Sequence, residues 1–316
     1  MDIRKIEAFL RAAETSNLSE ASKQLHLSQP ALSQQIKLLE KELGGDLFIR
    51  SNTGLKLTEA GHLLLPWARR LIHDTNDMKD MMLSLQNVFV GDLRIACSST
   101  SGKYVVPLLV ARFCTRYPGV QARILACKPE YAVVSLLEDE AHLGIVSSEV
   151  NNSSLESQEF FRDEISLVVP SAHPWAKRTS IEASEILQEP MILREGQSGT
   201  RRVMLAELAK FDISLEDLKI FLELGNVEAI LEVVAEGYGI SFVSDLASSC
   251  LRSVNRIAKV KVDGMSMERV NYMMRKRNAP PQRPRDVFWG FVHAPENSDL
   301  LSPRAIPTKR PRRNSA

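Results

Sequence analysis

The densest group of side chains able to do chemistry lies near the amino terminus. Ser28, Gln29, Pro30, Ser33, Gln34, Lys37 and Lys41 fall on one side of a segment whose other side is Leu32, Ile36, Leu39 and Leu43. Carboxamides pair bidentately with adenine, hydroxyls bond phosphate or base edges, and ammonium groups neutralise phosphate without reading sequence. Arg50 is placed for a further phosphate contact. Thr53, within Asn52-Thr53-Gly54, would follow the adjoining minor groove, where Gly54 permits close backbone approach. The alternative for Ser33, Gln34 and Lys37 is an ordinary solvated helix face, and it is their setting in a whole motif that favours DNA contact.

A second kind of chemistry occurs twice, farther along. Ser98-Ser99-Thr100-Ser101-Gly102-Lys103 and Gly196-Gln197-Ser198-Gly199-Thr200-Arg201 each open a helix with hydroxyls, backbone N–H groups and one cation. That combination suits a carboxylate or phosphate. Helix capping explains either loop alone. One in each half of a domain points instead to a shared ligand cleft, with Ser99, Thr100, Ser101, Lys103, Ser198, Thr200 and Arg201 as its candidates.

Other chemistries lack their signatures. No Gly-x-Ser-x-Gly elbow occurs, and Ser198-Gly199-Thr200 lacks the lysine of a phosphate loop. The four cysteines are far apart, and the six histidines are scattered singly, so neither a disulfide framework nor a metal site is expected. Cys97 beside the first loop could be a redox sensor, but strand cysteines are usually inert core residues. No cofactor and no catalytic residue is expected. A net charge of +1 requires any DNA-binding charge to be placed locally. With 44% hydrophobic and 25% charged residues, the 316-residue chain has the composition of globular domains, and its length suggests two or three. The segment after Met1 reads as an amphipathic helix, and no apolar run reaches membrane-spanning length, so a cytoplasmic protein is expected.

The elements that must position these groups can be drawn from periodicity. Ile3, Ile6, Phe9, Leu10 and Ala13 mark a first helix. Ser19 is positioned to cap a second through Leu25, and Ser28 a third, which Gly44-Gly45 ends. Leu47–Arg50 and Leu55–Leu57 flank a turn as a hairpin does. From Thr58 to about Val88 runs one helix of roughly 45 Å. Its seam of Leu64, Trp67, Leu71, Met78, Met81, Leu85 and Val88 wants a partner helix, or else burial along its own domain.

Beyond Gly91-Asp92, strands at 93–97, 120–126 and 143–146 alternate with helices at 104–116 and 131–139, which predicts a mainly parallel sheet. A second such series begins at Ile165 and continues through helices after Ser198 and at 227–235 and a strand at 240–243. The strand at 269–274 and a helix near 287–292 return to the first half. Two α/β lobes crossed by two connections form a hinged clamp. From Pro295 the proline-rich, basic end reads as a disordered tail, a solvated end or a source of nonspecific DNA attraction.

The run from Ala21 to Ile36, with Leu38-Leu39-Glu40, Leu43-Gly44, Leu47-Phe48, Arg50 and Leu57-Thr58-Glu59-Ala60-Gly61, closely resembles the signature of LysR-type transcriptional regulators. The likeness is dense over the first sixty-five residues and extends more weakly to about residue 293. It implies a winged helix-turn-helix at 1–58, a linker and dimerisation helix at 59–90, and a two-lobed, periplasmic-binding-protein-like effector domain at 91–294, with the tail at 295–316. It further implies a pseudo-palindromic DNA site, a small effector between the lobes, a homodimer or tetramer, and contact with RNA polymerase. Many members carry Arg where this chain has Gln34, which weakens a guanine contact there. An enzyme, a periplasmic solute-binding protein and another winged-helix regulator are the rival readings. The missing nucleophile elbow, phosphate loop and metal-spaced His set oppose the first, residues 1–88 the second, and residues 93–293 the third.

Overall fold

The computed structural model describes residues 1–51, 54–84 and 89–301. Thr53, Asn52, Leu85, Val88 and the basic end from residue 302 lie outside the described residues, as does the side chain of Arg50.

The amino-terminal domain consists of α1 (Ile3–Thr15), α2 (Leu18–Gln24), α3 (Gln29–Leu43) and the hairpin β1 (Phe48–Ser51) and β2 (Gly54–Leu57). The helix α4 (Glu59–Ser84) follows. Ile6, Phe9 and Leu10 of α1 pack with Leu39, Leu47, Ala68 and Ile72, so the start of α4 belongs to this core. Ala8 and Ala12 on the other side of α1 meet Ala21, Leu32 and Ile36. Ser28 caps α3 as expected, accepting from the Ala31 N–H, and Gly44 ends it at φ 77°. The expected Ser19 cap is corrected. Asn17 caps α2, its side-chain oxygen accepting from the Ser19 and Glu20 N–H groups. Its carboxamide reaches two orphan donors from one residue before the helix, which Ser19, already inside it, cannot do.

The larger domain begins with β3 (Val90–Cys97), α5 (Ser99–Tyr104), α6 (Val106–Arg116), β4 (Gly119–Ala126), α7 (Pro129–Leu137) and β5 (Leu143–Val146). The single helix expected at 104–116 starts earlier and is divided at Val105. Next comes β6 (Leu155–Pro170), then β7 (Met191–Arg194), α8 (Gly199–Leu208), β8 (Ile220–Leu224), α9 (Val227–Ala235) and β9 (Ser241–Ser244). The domain closes with α10 (Asp245–Ser253), β10 (Ile257–Val260), β11 (Glu268–Lys276), α11 (Arg283–Phe291) and α12 (Ser298–Leu301).

The sheet is mixed, not mainly parallel. β3 pairs in parallel with β4 and β5, whereas β11 is antiparallel to β5 and β6, and β9 and β10 are antiparallel to β6. The reason is β6. Its sixteen residues begin in lobe I beside β11 and end in lobe II between β9 and β10, so one strand serves both lobes. β11 crosses back, with a register shift between Asn271 and Tyr272. The lobes keep separate cores, one around Ile95, Leu109, Phe113 and Phe288, the other around Leu167, Ile186, Leu193 and Phe242. The tail also starts later than expected: Asn297 and Leu300 are buried, and Asn297 donates to the Phe291 carbonyl at 2.7 Å.

Candidate nucleic-acid interface and effector cleft

The α2–α3 unit is a helix-turn-helix held from behind. Leu32, Ile36 and Leu39 are buried, leaving Ser28, Gln29, Pro30, Gln34 and Lys37 exposed and Ser33 half-buried on the outer side. His26 makes the turn at φ 54°, its N–H on the Lys23 carbonyl at 3.1 Å, and the Leu27 N–H reaches the Ser22 carbonyl at 2.9 Å. The Ser19 hydroxyl donates to Gln29 Oε1 at 3.0 Å. Bidentate pairing of Gln29 with adenine therefore requires that bond to break first, whereas Gln34 is exposed on the same outer side. Lys5 pairs with Glu42, tying α1 to the end of α3.

Between the lobes lies a cleft of about 70 Å³. Of the sequence-derived candidates, Ser99, Thr100 and Ser198 line it, together with Ser98. Ser198 Oγ accepts from the Thr200 N–H at 3.2 Å and so caps α8, but Ser98 makes no capping bond to α5. Ser101 and Thr200 are buried just behind the wall. Ser101 Oγ lies 3.2 Å from Asn271 Oδ1, and Thr200 Oγ1 accepts from Arg269 Nη1 at 3.1 Å.

The two expected cations are corrected. Lys103 Nζ sits 2.5 Å from Glu228 Oε1 on α9, and Arg201 Nη1 bonds Glu223 at 2.6 Å and the Arg194 carbonyl at 3.0 Å. Both are paired with carboxylates, and neither lines the cleft.

The cations that do line the cleft are Lys128, Arg194 and Arg269, which sequence reasoning missed. Arg194 ends β7 and pairs with Glu195 at 2.8 Å. Arg269 is 5% exposed on β11, paired with buried Asp163, which also accepts from the Ser244 hydroxyl at 2.9 Å. Burial pushes the Asp163 carboxyl upward, against the pull of Arg269. Arg269 Nε has no hydrogen-bond partner among the described residues. The available signal was an arginine at the head of the strand-like run Val270-Asn271-Tyr272-Met273-Met274.

The lobes approach closely here. A Cβ on Gly199 would lie 2.2 Å from Ser147 Oγ, so only glycine fits while the lobes stand this near. Cys97 is buried, and its thiol is pushed up to about 12 by burial, which suppresses the reactive thiolate. Among the described residues, no group of three or more His, Cys, Asp or Glu is placed to hold a metal ion, and no helix is long and apolar enough to cross a membrane.

Comparison with known proteins agrees with this architecture. Residues 3–62 match the family described as bacterial regulatory helix-turn-helix protein, lysR family, and residues 86–295 match the LysR substrate binding domain. An uncharacterized HTH-type transcriptional regulator of Methanocaldococcus jannaschii is 30% identical over 292 residues, covering 92% of this chain and 98% of the relative. A probable RuBisCO transcriptional regulator of Trichormus variabilis is 28% identical over 279 residues, covering 87% and 83%. Full-length CbnR complexed with its target DNA superposes with a TM-score of 0.72 at 22% identity, covering 92% of this chain and 99% of that one. The regulatory domain of Synechocystis CcmR in complex with 2-PG gives 0.60 at 24% identity, covering 68% and 100%. With both of its domains matched and the winged helix joined to a two-lobed clamp, the chain belongs to the LysR family of DNA-binding transcriptional regulators.

Proposed function

We propose that α3 enters the major groove, that a small anionic metabolite binds between the lobes, and that the metabolite alters how a dimer holds its operator. Gln34 reads base edges, while Ser28, Ser33 and Lys37 fix the register on phosphates. The observation that carries the effector reading is Arg269. It is a buried guanidinium with an unpartnered Nε, on the strand that crosses between lobes, in a cleft also lined by Ser99, Thr100 and Ser198. The starts of α7 and α8 add their positive dipole ends. Complexation of 2-PG by the CcmR domain supports the same ligand class here.

The cleft is too small at about 70 Å³ for a metabolite of many atoms, so binding requires rotation about the crossing strands β6 and β11. Arg269 touches both Thr200 in the effector loop and Asp163 at the crossing, so a ligand that draws on Arg269 acts directly on the hinge. α4 carries the change to the DNA-binding domain. Trp67 and Leu71 are exposed on it, which suits pairing with the same helix of a second copy.

The test is calorimetric titration of the full chain with 2-PG and other small carboxylates and phosphates. A Thr100→Ala, Thr200→Ala double variant should lose about tenfold or more in affinity for whichever anion binds. Unchanged affinity in that variant, or binding with no change in the DNA footprint, would contradict the reading.

A further inference from the structure

A larger cavity, about 360 Å³, lies where α4 passes lobe I, and it shares no lining residue with the effector cleft. One wall is α4, with His73, Asp74, Asp77, Met78 and Met81. The other is lobe I, with Arg94, Asp139, His142 and Lys276, closed below by Pro280 and Pro281. Several of these charges are already matched. Lys276 Nζ lies 2.7 Å and Arg70 Nε 3.3 Å from Asp139 carboxylate oxygens, and Arg285 is held by Asp286; looser pairs at 3.8 Å and 4.0 Å join Arg70 to Asp74 and Arg94 Nη1 to Asp92.

Three buried polar atoms remain without a hydrogen-bond partner among the described residues: Arg94 Nη1, His142 Nε2 and Asp77 Oδ1. Arg94 is 8% and His142 8% exposed, so neither group turns to solvent. The Arg94 N–H donates to His142 Nδ1 at 3.2 Å, which places the proton of the neutral imidazole on Nε2. His142 Nε2 and Asp77 Oδ2 are 3.7 Å apart, a long contact that becomes an ion pair only if the ring is protonated. Lobe I thus offers two donors, α4 offers an acceptor, and a gap separates them.

The charge pattern restricts what fits. A simple anion on Arg94 would face Asp77 and Asp74, and a simple cation on Asp77 would face Arg94. A molecule with both charges satisfies both walls. We propose that this cavity binds a zwitterionic α-amino acid with an apolar side chain. Its carboxylate accepts from Arg94 and His142 Nε2, its ammonium donates to Asp77 and Asp74, and its side chain lies against Met78, Met81 and Pro280. The volume is more than ten times the roughly 30 Å³ share of one water in the liquid. Such a ligand bridges the linker helix to lobe I and would stiffen the joint between the DNA-binding and sensing domains. The site is independent of the effector cleft.

The experiment is calorimetry of the full chain with L-valine, L-leucine, L-isoleucine and L-methionine, using isocaproate and isopentylamine as single-charge controls. At least one amino acid should bind at one site per chain, with neither control competing. Asp77→Asn should weaken that binding about tenfold or more, and Thr100→Ala in the effector cleft should leave it unchanged. Asp74→Lys, at a side chain 58% exposed and so tolerant of change, should also abolish binding and serves if Asp77→Asn fails to fold. The proposal is overturned if no amino acid binds, which would mean a cavity holding water only. Equal binding of isocaproate, indifference to both α4 variants, or loss in Thr100→Ala would overturn it too.

Discussion

At the residue scale, the molecule concentrates its unusual energetics in a few buried ions. Asp163 and Arg269 are almost wholly removed from water, and each depends on the other. Arg269→Met leaves a buried carboxylate with only the Ser244 hydroxyl, and should destabilise the domain by about 3–5 kcal/mol, lowering Tm by about 10 °C. A double Asp163→Leu, Arg269→Met variant should recover most of that loss while still failing to bind the effector. Scanning calorimetry of the pair decides it, and a drop under about 1 kcal/mol in the single variant would show that water reaches the site. The same residues show what the sequence could not convey. The hydroxyls of Ser99, Thr100 and Ser198 were readable because they sit in short loops after strands. Lys103 and Arg201, equally plausible in sequence, turned to Glu228 in α9 and Glu223 in β8, 125 (228 − 103) and 22 positions away. Pairing at that range leaves no local trace.

At the scale of elements, the apolar periodicity located α1, α3 and α9 because each has one buried side, and α4 through a seam that is largely exposed. β6 was half missed. Its first part, from Leu155, alternates buried and exposed residues and carries Glu156, Glu159 and Arg162, so only the apolar end from Ile165 read as strand. Its antiparallel pairing with β11 joins residues about a hundred apart, which turned an expected parallel sheet into a mixed one. The contact of α4 with lobe I makes a pH prediction. Burial, aided by the nearby Arg94 cation, pushes His73 down to about 4 from an ordinary 6.5, and burial likewise lowers His142. Unfolding lets these rings take up protons, so they favour the folded state above pH 6.5, and that contribution is lost as pH falls toward 4. Thermal melts should therefore show a shallower decline between those pH values in His73→Gln than in the parent chain; identical slopes would contradict the burial. Elsewhere on α4, outside the cavity wall, Trp67 is 64% and Leu71 37% exposed. If these form the dimer seam, Trp67→Ser with Leu71→Ser should shift sedimentation toward monomer, since each large apolar group buried contributes about 1.5–3 kcal/mol. An unshifted boundary would place the pairing surface elsewhere.

At the scale of the whole molecule, the order of parts was legible because each carries a different period: a compact helical motif, one long helix, then alternating strands and helices. How the parts touch was not, since the joint of α4 with lobe I depends on Arg69 meeting Glu140 at 2.8 Å and on a cavity formed by segments two hundred residues apart. The proposed DNA reading turns on α3 presenting Gln34 to base pairs. The most direct measurement is selection from a random duplex pool by the full chain, repeated with Gln34→Arg and with Lys37→Ala. The parent should enrich a motif with two related half-sites. Gln34→Arg should change the preferred base toward guanine at one position of each half-site, and Lys37→Ala should keep the motif but bind it more weakly with a shallower salt dependence. A pool that enriches no motif, or one whose motif is the same with Gln34→Arg, would contradict the central assignment.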